Sequence, residues 1–95
     1  MINRINLLKD TLTCCNAALA KNPNMFPLQL VIDQIGYLLK LEEGRCNDLS
    51  KLNSIKIGWI TARELDGFPD DQLINKLHLV SAEAEKIKKE RSFHD

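Results

Sequence analysis

The sequence predicts an all-α fold, a compact antiparallel bundle of four to five helices that spans residues 1–95 as one domain. Apolar residues recur at steps of three and four positions over most of the chain, which is the period of an amphipathic helix. The segments between these stretches are short and contain proline, glycine, asparagine or aspartate. Short connections favour antiparallel packing of consecutive helices, so a bundle is expected.

The first helix is predicted from about Asn3 to Lys21. One of its faces carries apolar residues spaced by three or four positions: Ile5, Leu8, Leu12, Cys15 and Leu19. Pro23 ends this helix, because proline has no backbone N–H to donate and disfavours the helical conformation at the preceding Asn22.

The second helix is predicted to begin near Pro27 and to close at Glu42-Glu43-Gly44, where Gly44 can adopt the left-handed cap conformation. Its main apolar stripe consists of Leu28, Val31, Ile32, Ile35, Leu38 and Leu39. A second, partly apolar stripe consists of Leu30, Gln34, Tyr37 and Leu41. Apolar residues on two sides are typical of a central helix, or of one that keeps a face for a partner or a second copy of the chain.

The third segment is divided in two. Asn47 or Asp48 is expected to cap a short helix that ends at Leu52, and Asn53-Ser54 is expected to interrupt it. A further helix is predicted over about 56–65, because Thr61–Leu65 favours helix and a lone strand would have no partner. The composition of Asp66–Asp70 predicts a turn.

The last helix is predicted to run to about Arg91, with 92–95 frayed. Its core stripe consists of Leu73, Leu77, Val80, Ala84 and Ile87. Asp70 and Asp71 lie in the first turn, and a basic cluster over 86–91 lies in the last turns. Both placements complement the helix dipole.

Composition narrows the class of protein. Hydrophobic residues make up 44% and charged residues 27%, and thirteen basic residues balance thirteen acidic ones. A neutral chain has no general attraction for nucleic acid or anionic membrane. No stretch reaches the roughly 18 apolar residues of a membrane span, and 1–10 has no signal-peptide core. Three cysteines, an odd number, indicate a reducing compartment, so the protein is expected to be cytoplasmic.

Catalytic and metal-binding patterns are not found in the sequence. His78 and His94 are accompanied by no Cys-x-x-Cys or His-Glu-x-x-His spacing that would hold a metal. Cys15 belongs to a core stripe, and the adjacent Cys14 has no base near it in sequence. The acidic pair at Asp70 diverges on a helix instead of converging on one substrate. We therefore expect no enzyme activity, no metal and no cofactor.

A helix-turn-helix regulator is one alternative, with Leu49–Leu65 as the motif and 59–65 as its reading helix. Such a helix needs several basic or amide side chains directed at bases and phosphates. This one offers Arg63, followed by Glu64 and Asp66, which repel phosphate. A helical adaptor or a homodimeric structural protein is the other alternative.

A protein-binding surface is the remaining possibility, and it centres on the single tryptophan. Trp59 lies outside the isoleucine pattern of its segment, and Phe68 lies in a turn beside Pro69. Tryptophan, tyrosine and arginine are enriched at binding hot spots. The other reading leaves Trp59 and Phe68 as core residues that anchor the turn.

The run Gly58-Trp59-Ile60-Thr61-Ala62-Arg63-Glu64-Leu65-Asp66, followed by Leu73 and Leu77, carries a family resemblance. It resembles the small helical immunity proteins of type VI secretion effectors, in particular those paired with an NAD(P)+-glycohydrolase toxin. Further matches in the first half are Ala20, Lys21, Pro23, Gln34, Ile35 and Tyr37. The resemblance covers about Leu19 to Leu79, while the connection Asn53–Ile57 is longer here and the turn Gly67–Asp70 differs.

The resemblance implies an immunity protein that binds a cognate antibacterial toxin in the producing cell and occludes its active site. The toxin is then expected to consume NAD(P)+, and carboxylates of the inhibitor can occupy the place of substrate phosphates. The residues expected to contact the toxin are Tyr37, Trp59, Arg63, Glu64, Asp66, Phe68, Asp70 and Asp71.

Overall fold

The computed structural model describes residues 3–92, and these form four α-helices with no strand among them. The helices are α1 (Arg4–Lys21), α2 (Phe26–Glu42), α3 (Ile57–Arg63) and α4 (Asp71–Ser92), and a 3-10 turn occupies Leu52–Ser54. The predicted all-α bundle is thereby confirmed. The fraying expected at the C-terminus falls largely on 93–95, which lie outside the described residues.

Local side-chain chemistry sets the helix ends. The Asn3 side chain accepts a hydrogen bond from the Asn6 backbone N–H at 3.1 Å, which caps α1. At the other end, the Asn22 backbone and side chain both donate to the carbonyl oxygen of Ala18. Gly44, which follows α2, has a φ of +76°, a left-handed conformation that other residues rarely adopt.

The short helix predicted to end at Leu52 is not formed. The Asp48 side chain accepts the Ser50 backbone N–H at 2.9 Å and makes a local turn, so it does not cap a helix. The 3-10 turn instead occupies Leu52–Ser54, which includes the residues predicted to interrupt the helix. The next helix, α3, is also shorter at both ends than the predicted 56–65.

Contacts near the helix ends show how the helices are oriented. Arg4, at the start of α1, lies 2.5 Å from Glu42 at the end of α2 and 2.9 Å from Glu90 near the end of α4. Helix α1 is therefore antiparallel to both of its neighbours. Helix α3 packs mainly on α4 and also contacts α2.

All four helices contribute to one hydrophobic core. Every residue of the stripe predicted for α4 is buried, as are Leu8 and Cys15 of α1. Thr11 of α1 is also fully buried, and its hydroxyl has no hydrogen-bond partner among the described residues. An unpaired buried hydroxyl lowers stability, because it loses its hydrogen bonds to water on folding.

Arg4 also joins three helices through an ionic cluster that the sequence did not indicate. Its guanidinium contacts Glu42, Glu83 and Glu90, and about a fifth of the Arg4 side chain is exposed. Hydrogen bonds from Lys86 and Arg4 lower the pKa of the buried Glu83. Arg4 likewise lowers the pKa of Glu90. The cluster therefore holds the start of α1 against the ends of α2 and α4.

Candidate protein-binding surface

Helix α3 presents two chemically different sides. Ile57, Ile60 and Thr61 are buried against the bundle, and the Thr61 hydroxyl donates to the Ile57 carbonyl at 2.7 Å. Trp59, Ala62 and Arg63 point outward, and their spacing of three and four residues places Trp59 beside the other two. The buried residues of the Gly58–Asp66 run thus fix α3 to the bundle, while the exposed ones form a surface.

Gly58 allows this packing. A Cβ atom placed on Gly58 would overlap the hydroxyl oxygen of Ser81 on α4. The two helices approach closely here because residue 58 has no side chain. The sequence alone did not indicate the contact with Ser81, although a glycine inside a helix is a general signal of close backbone approach.

Trp59 is not a core residue, since 55% of its surface is exposed. The guanidinium of Arg63 stacks over its ring, with the central carbon 5.7 Å from the ring centroid. This is a cation–π pair of the kind often found at protein surfaces and interfaces. It orients Trp59 and leaves a large apolar surface available to solvent.

Phe68 lies at the turn between α3 and α4, half-buried against the core. It lines a groove of about 510 Å3, hereafter the turn groove, whose rim carries Asp66, Asp71 and His78. Leu65 and Ile74 add apolar surface to the same groove. Phe68 therefore anchors the turn and also forms part of an accessible surface, so it agrees with both interpretations of the sequence.

The four predicted acidic residues differ in their local roles. The Asp70 side chain accepts the Leu73 backbone N–H at 3.1 Å, so it caps α4. Glu64, Asp66 and Asp71 are exposed, and their carboxylates have no ion pair or hydrogen-bond partner among residues 3–92. The other eight carboxylates in this part of the chain each have a partner: Asp10, Asp33, Glu42, Glu43, Asp48, Glu83, Glu85 and Glu90.

Tyr37 lies apart from this surface. It is on α2, where its hydroxyl donates to the Asp48 carbonyl at 2.5 Å and fastens the loop that follows the helix. Burial, and then the nearby Asp48 charge, raise the pKa of Tyr37. It lines grooves with Lys51 and Asp33, and none of the other predicted contact residues lines either of them.

No catalytic arrangement is assembled around the cysteines or histidines described. Cys15 is fully buried, and desolvation raises its thiol pKa to about 12. Cys14 is half-buried, with the Lys76 ammonium 3.5 Å from its sulfur. Residues 3–92 contain no cluster of three or more side chains able to hold a metal. His94 lies outside the described residues.

None of the four helices, within residues 3–92, has both the length and the apolar character that crossing a membrane requires.

The surface of α3 also does not suit nucleic acid. Its exposed end leads from Arg63 into Glu64 and Asp66, which repel phosphate.

Comparison with protein-family models gives a match over most of the chain. A family model described as Tsi6 matches residues 3–86, from the cap of α1 through most of α4. No curated protein and no solved structure matches the chain.

Proposed function

This chain belongs to the Tsi6 family of type VI secretion immunity proteins, and from that premise we propose that it binds and inhibits a cognate antibacterial toxin. The toxin is an NAD(P)+-consuming effector, and inhibition works by covering its active site. The protein does this without catalysis or a cofactor, in the cytoplasm of the cell that produces the toxin.

The strongest support is the extent of the family match, which includes α1 to α3 and most of α4. The surface chemistry agrees with a binding role. Trp59 exposes more than half of its area, and large exposed aromatic side chains are common anchors of protein interfaces. A chain with such an anchor needs only a complementary partner surface to act as an inhibitor.

Occlusion is the simplest mechanism for a small inhibitor of a nucleotide-consuming enzyme. Its substrate carries phosphate groups, so the substrate cleft is expected to be basic. Glu64, Asp66 and Asp71 carry carboxylates that pair with no other described residue, and these can enter such a cleft and take the place of those phosphates. Opposite charge on the two surfaces would also accelerate association.

The proposed contact surface centres on α3 and the turn after it. Asp70 belongs to this surface but also caps α4, so its loss would reduce stability as well as binding. Tyr37 remains a predicted contact at a separate location on α2. The proposed toxin contacts are Tyr37, Trp59, Arg63, Glu64, Asp66, Phe68, Asp70 and Asp71.

The test uses the purified chain and the product of the gene immediately upstream of its own. We expect the two to co-purify, and we expect the upstream product to consume NAD+ only when the chain is absent. Chain that has been unfolded by heat is the control. Binding without NAD+ chemistry would place the toxin in another class, and no binding would favour a helical adaptor or a homodimer.

Charge reversal tests the predicted role of the carboxylates. Asp71→Lys should slow capture of the toxin and weaken protection, because it reverses an unpaired charge on the contact surface. Asp71 is a cleaner choice than Asp70, whose side chain caps α4. Association at the wild-type rate would remove Asp71 from the contact.

A further inference from the structure

The outward side of α3 changes character along its length. We call it the α3 face and define it by Trp59, Ala62 and Arg63 of α3 together with Asp66 of the turn that follows. The N-terminal end of this face presents the exposed indole of Trp59, partly covered by the Arg63 guanidinium. Its other end opens into the turn groove, which Ala62 and Asp66 help to line. One partner surface can therefore meet an aromatic anchor and an acidic groove together.

The turn groove carries two carboxylates, and the basic side chain among its described lining residues is that of His78. Asp66 and Asp71 line it, and neither carboxylate is paired within residues 3–92. The lining includes no lysine or arginine. By contrast, the groove that Trp59 lines on the opposite side contains Lys56 and Lys88, and Lys88 pairs with Glu85.

The apolar lining of the turn groove limits what can occupy it. Leu65, Phe68 and Ile74 provide hydrocarbon and aromatic surface beside the two carboxylates. An arginine side chain has this combination of properties. Its aliphatic stem covers apolar surface, its planar guanidinium stacks on aromatic rings, and its N–H groups bind carboxylates in pairs.

We infer, on the basis of the toxin-binding function proposed above, that the α3 face docks on a toxin surface with two features. One is an apolar recess that accepts Trp59. The other is an arginine side chain that enters the turn groove and pairs with Asp66 and Asp71. The complementary charges fix the register of the docked helix, and the buried indole supplies most of the affinity.

The single tryptophan gives a direct probe of the first feature. Chain labelled with 5-fluorotryptophan has one fluorine resonance, and we expect it to shift and broaden when the upstream gene product is added. Trp59→Ala should weaken binding by about 30-fold or more, the range of a hot-spot residue. Phe26→Ala is the matched control, because Phe26 is an aromatic residue 67% exposed at the start of α2.

Charge reversal probes the second feature. Asp66→Lys should slow association by about tenfold at low salt, with a smaller difference at high salt. Asp10→Lys makes the same change in net charge at an exposed position on α1 that lines no groove with a proposed toxin contact, and it should associate at the wild-type rate. A scan of the toxin's arginines to aspartate should yield one variant that binds Asp66→Lys better than it binds the wild-type chain.

The outcomes separate this inference from the proposed function. If the wild-type chain binds the toxin but the fluorine resonance does not move, the Trp59 recess is wrong. If Asp66→Lys and Asp10→Lys behave alike and no arginine variant restores binding, the groove assignment is wrong. In both cases the immunity function still stands. Failure of the wild-type chain to bind would overturn both.

Discussion

Gly58 of α3 lies so close to Ser81 of α4 that the smallest side chain at position 58 would overlap the serine hydroxyl. This contact sets how near α3 approaches the bundle, and therefore how far Trp59 projects from it. A methyl group at position 58 must displace Ser81 or move α3 outward. Gly58 thus permits the close approach of the proposed toxin-binding helix to α4.

We predict that Gly58→Ala lowers the free energy of unfolding by about 1 kcal/mol, the usual cost of modest overpacking. The combination with Ser81→Ala should remove the penalty, because the overlapping atom is the hydroxyl oxygen. Gly36→Ala is the control, because a Cβ at position 36 meets nothing within 4 Å. It should raise the free energy of unfolding, because alanine favours helix over glycine by roughly 0.5–1 kcal/mol. Urea unfolding measures all of these variants. Equal penalties in the wild-type and Ser81→Ala backgrounds would show that Ser81 is not the obstacle.

A second prediction concerns the ionic cluster around Arg4. Arg4→Met should cost roughly 2 kcal/mol at pH 7, less than a fully buried ion pair because part of the side chain is exposed. Arg45→Met is the matched control. Arg45 pairs only with Glu43 and is 66% exposed, so the change should stay within about 0.5 kcal/mol. Thermal or urea unfolding of the two variants checks the difference, and equal losses would contradict a structural role for Arg4.

The same cluster predicts how stability depends on pH. The folded chain holds the pKa of Glu83 and of Glu90 below the ordinary 4.5. The contribution of these two carboxylates to the free energy of unfolding is therefore complete above pH 4.5 and is lost as the pH falls below it. The stability difference between the wild-type chain and Arg4→Met should shrink over that range. A difference that stays constant down to pH 3 would show that the two carboxylates are not linked to Arg4.

Two buried threonines predict opposite effects for one substitution. Thr11→Val should stabilise the protein by about 1 kcal/mol, because the Thr11 hydroxyl is buried without a partner. Thr61→Val should destabilise by about the same amount, because the Thr61 hydroxyl donates to the Ile57 carbonyl. Both residues are at most 2% exposed, which makes the pair a matched comparison. Unfolding curves with the same sign for both variants would contradict the hydrogen-bond assignments.

The three cysteines should react with iodoacetamide at different rates. At pH 8 the Cys15 thiol is protonated, since its pKa is raised to about 12, and it is also fully buried. Cys14 and Cys46 are half-buried, so they should be alkylated in the folded chain while Cys15 is spared. In 6 M guanidinium all three should react. Mass spectrometry of peptides locates the label, and rapid labelling of Cys15 in the folded chain would contradict its burial.

Much of the fold was accessible from the sequence because it depends on periodicity and local signals. The stripe predicted for α4 is buried throughout, and Pro23 and Gly44 mark the ends of α1 and α2 as expected. The error in the third segment has a local cause. Asp48 can cap a helix or close a turn with the same oxygen atoms, and only the surrounding chain determines which hydrogen bond forms.

The candidate surface was only partly predictable. The sequence indicated Trp59 and the acidic residues after α3, but it could not tell whether Trp59 was core or surface. Burial depends on which side of α3 meets α4, and that is a matter of packing between residues distant in sequence, such as Gly58 and Ser81. The separation of Tyr37 from α3 and the capping role of Asp70 are also properties of the folded chain.

A helical bundle related to immunity proteins could be inferred before the fold was known, because helix period, caps and family motif are encoded by residues near one another in the chain. Which carboxylates of the described residues stay unpaired depends on how the helices pack together. Glu83 pairs with Arg4, 79 positions away, while Asp66 and Asp71 form no ion pair with any residue of the described range 3–92. Charge neutralisation requires proximity in space, and only packing of the helices provides it.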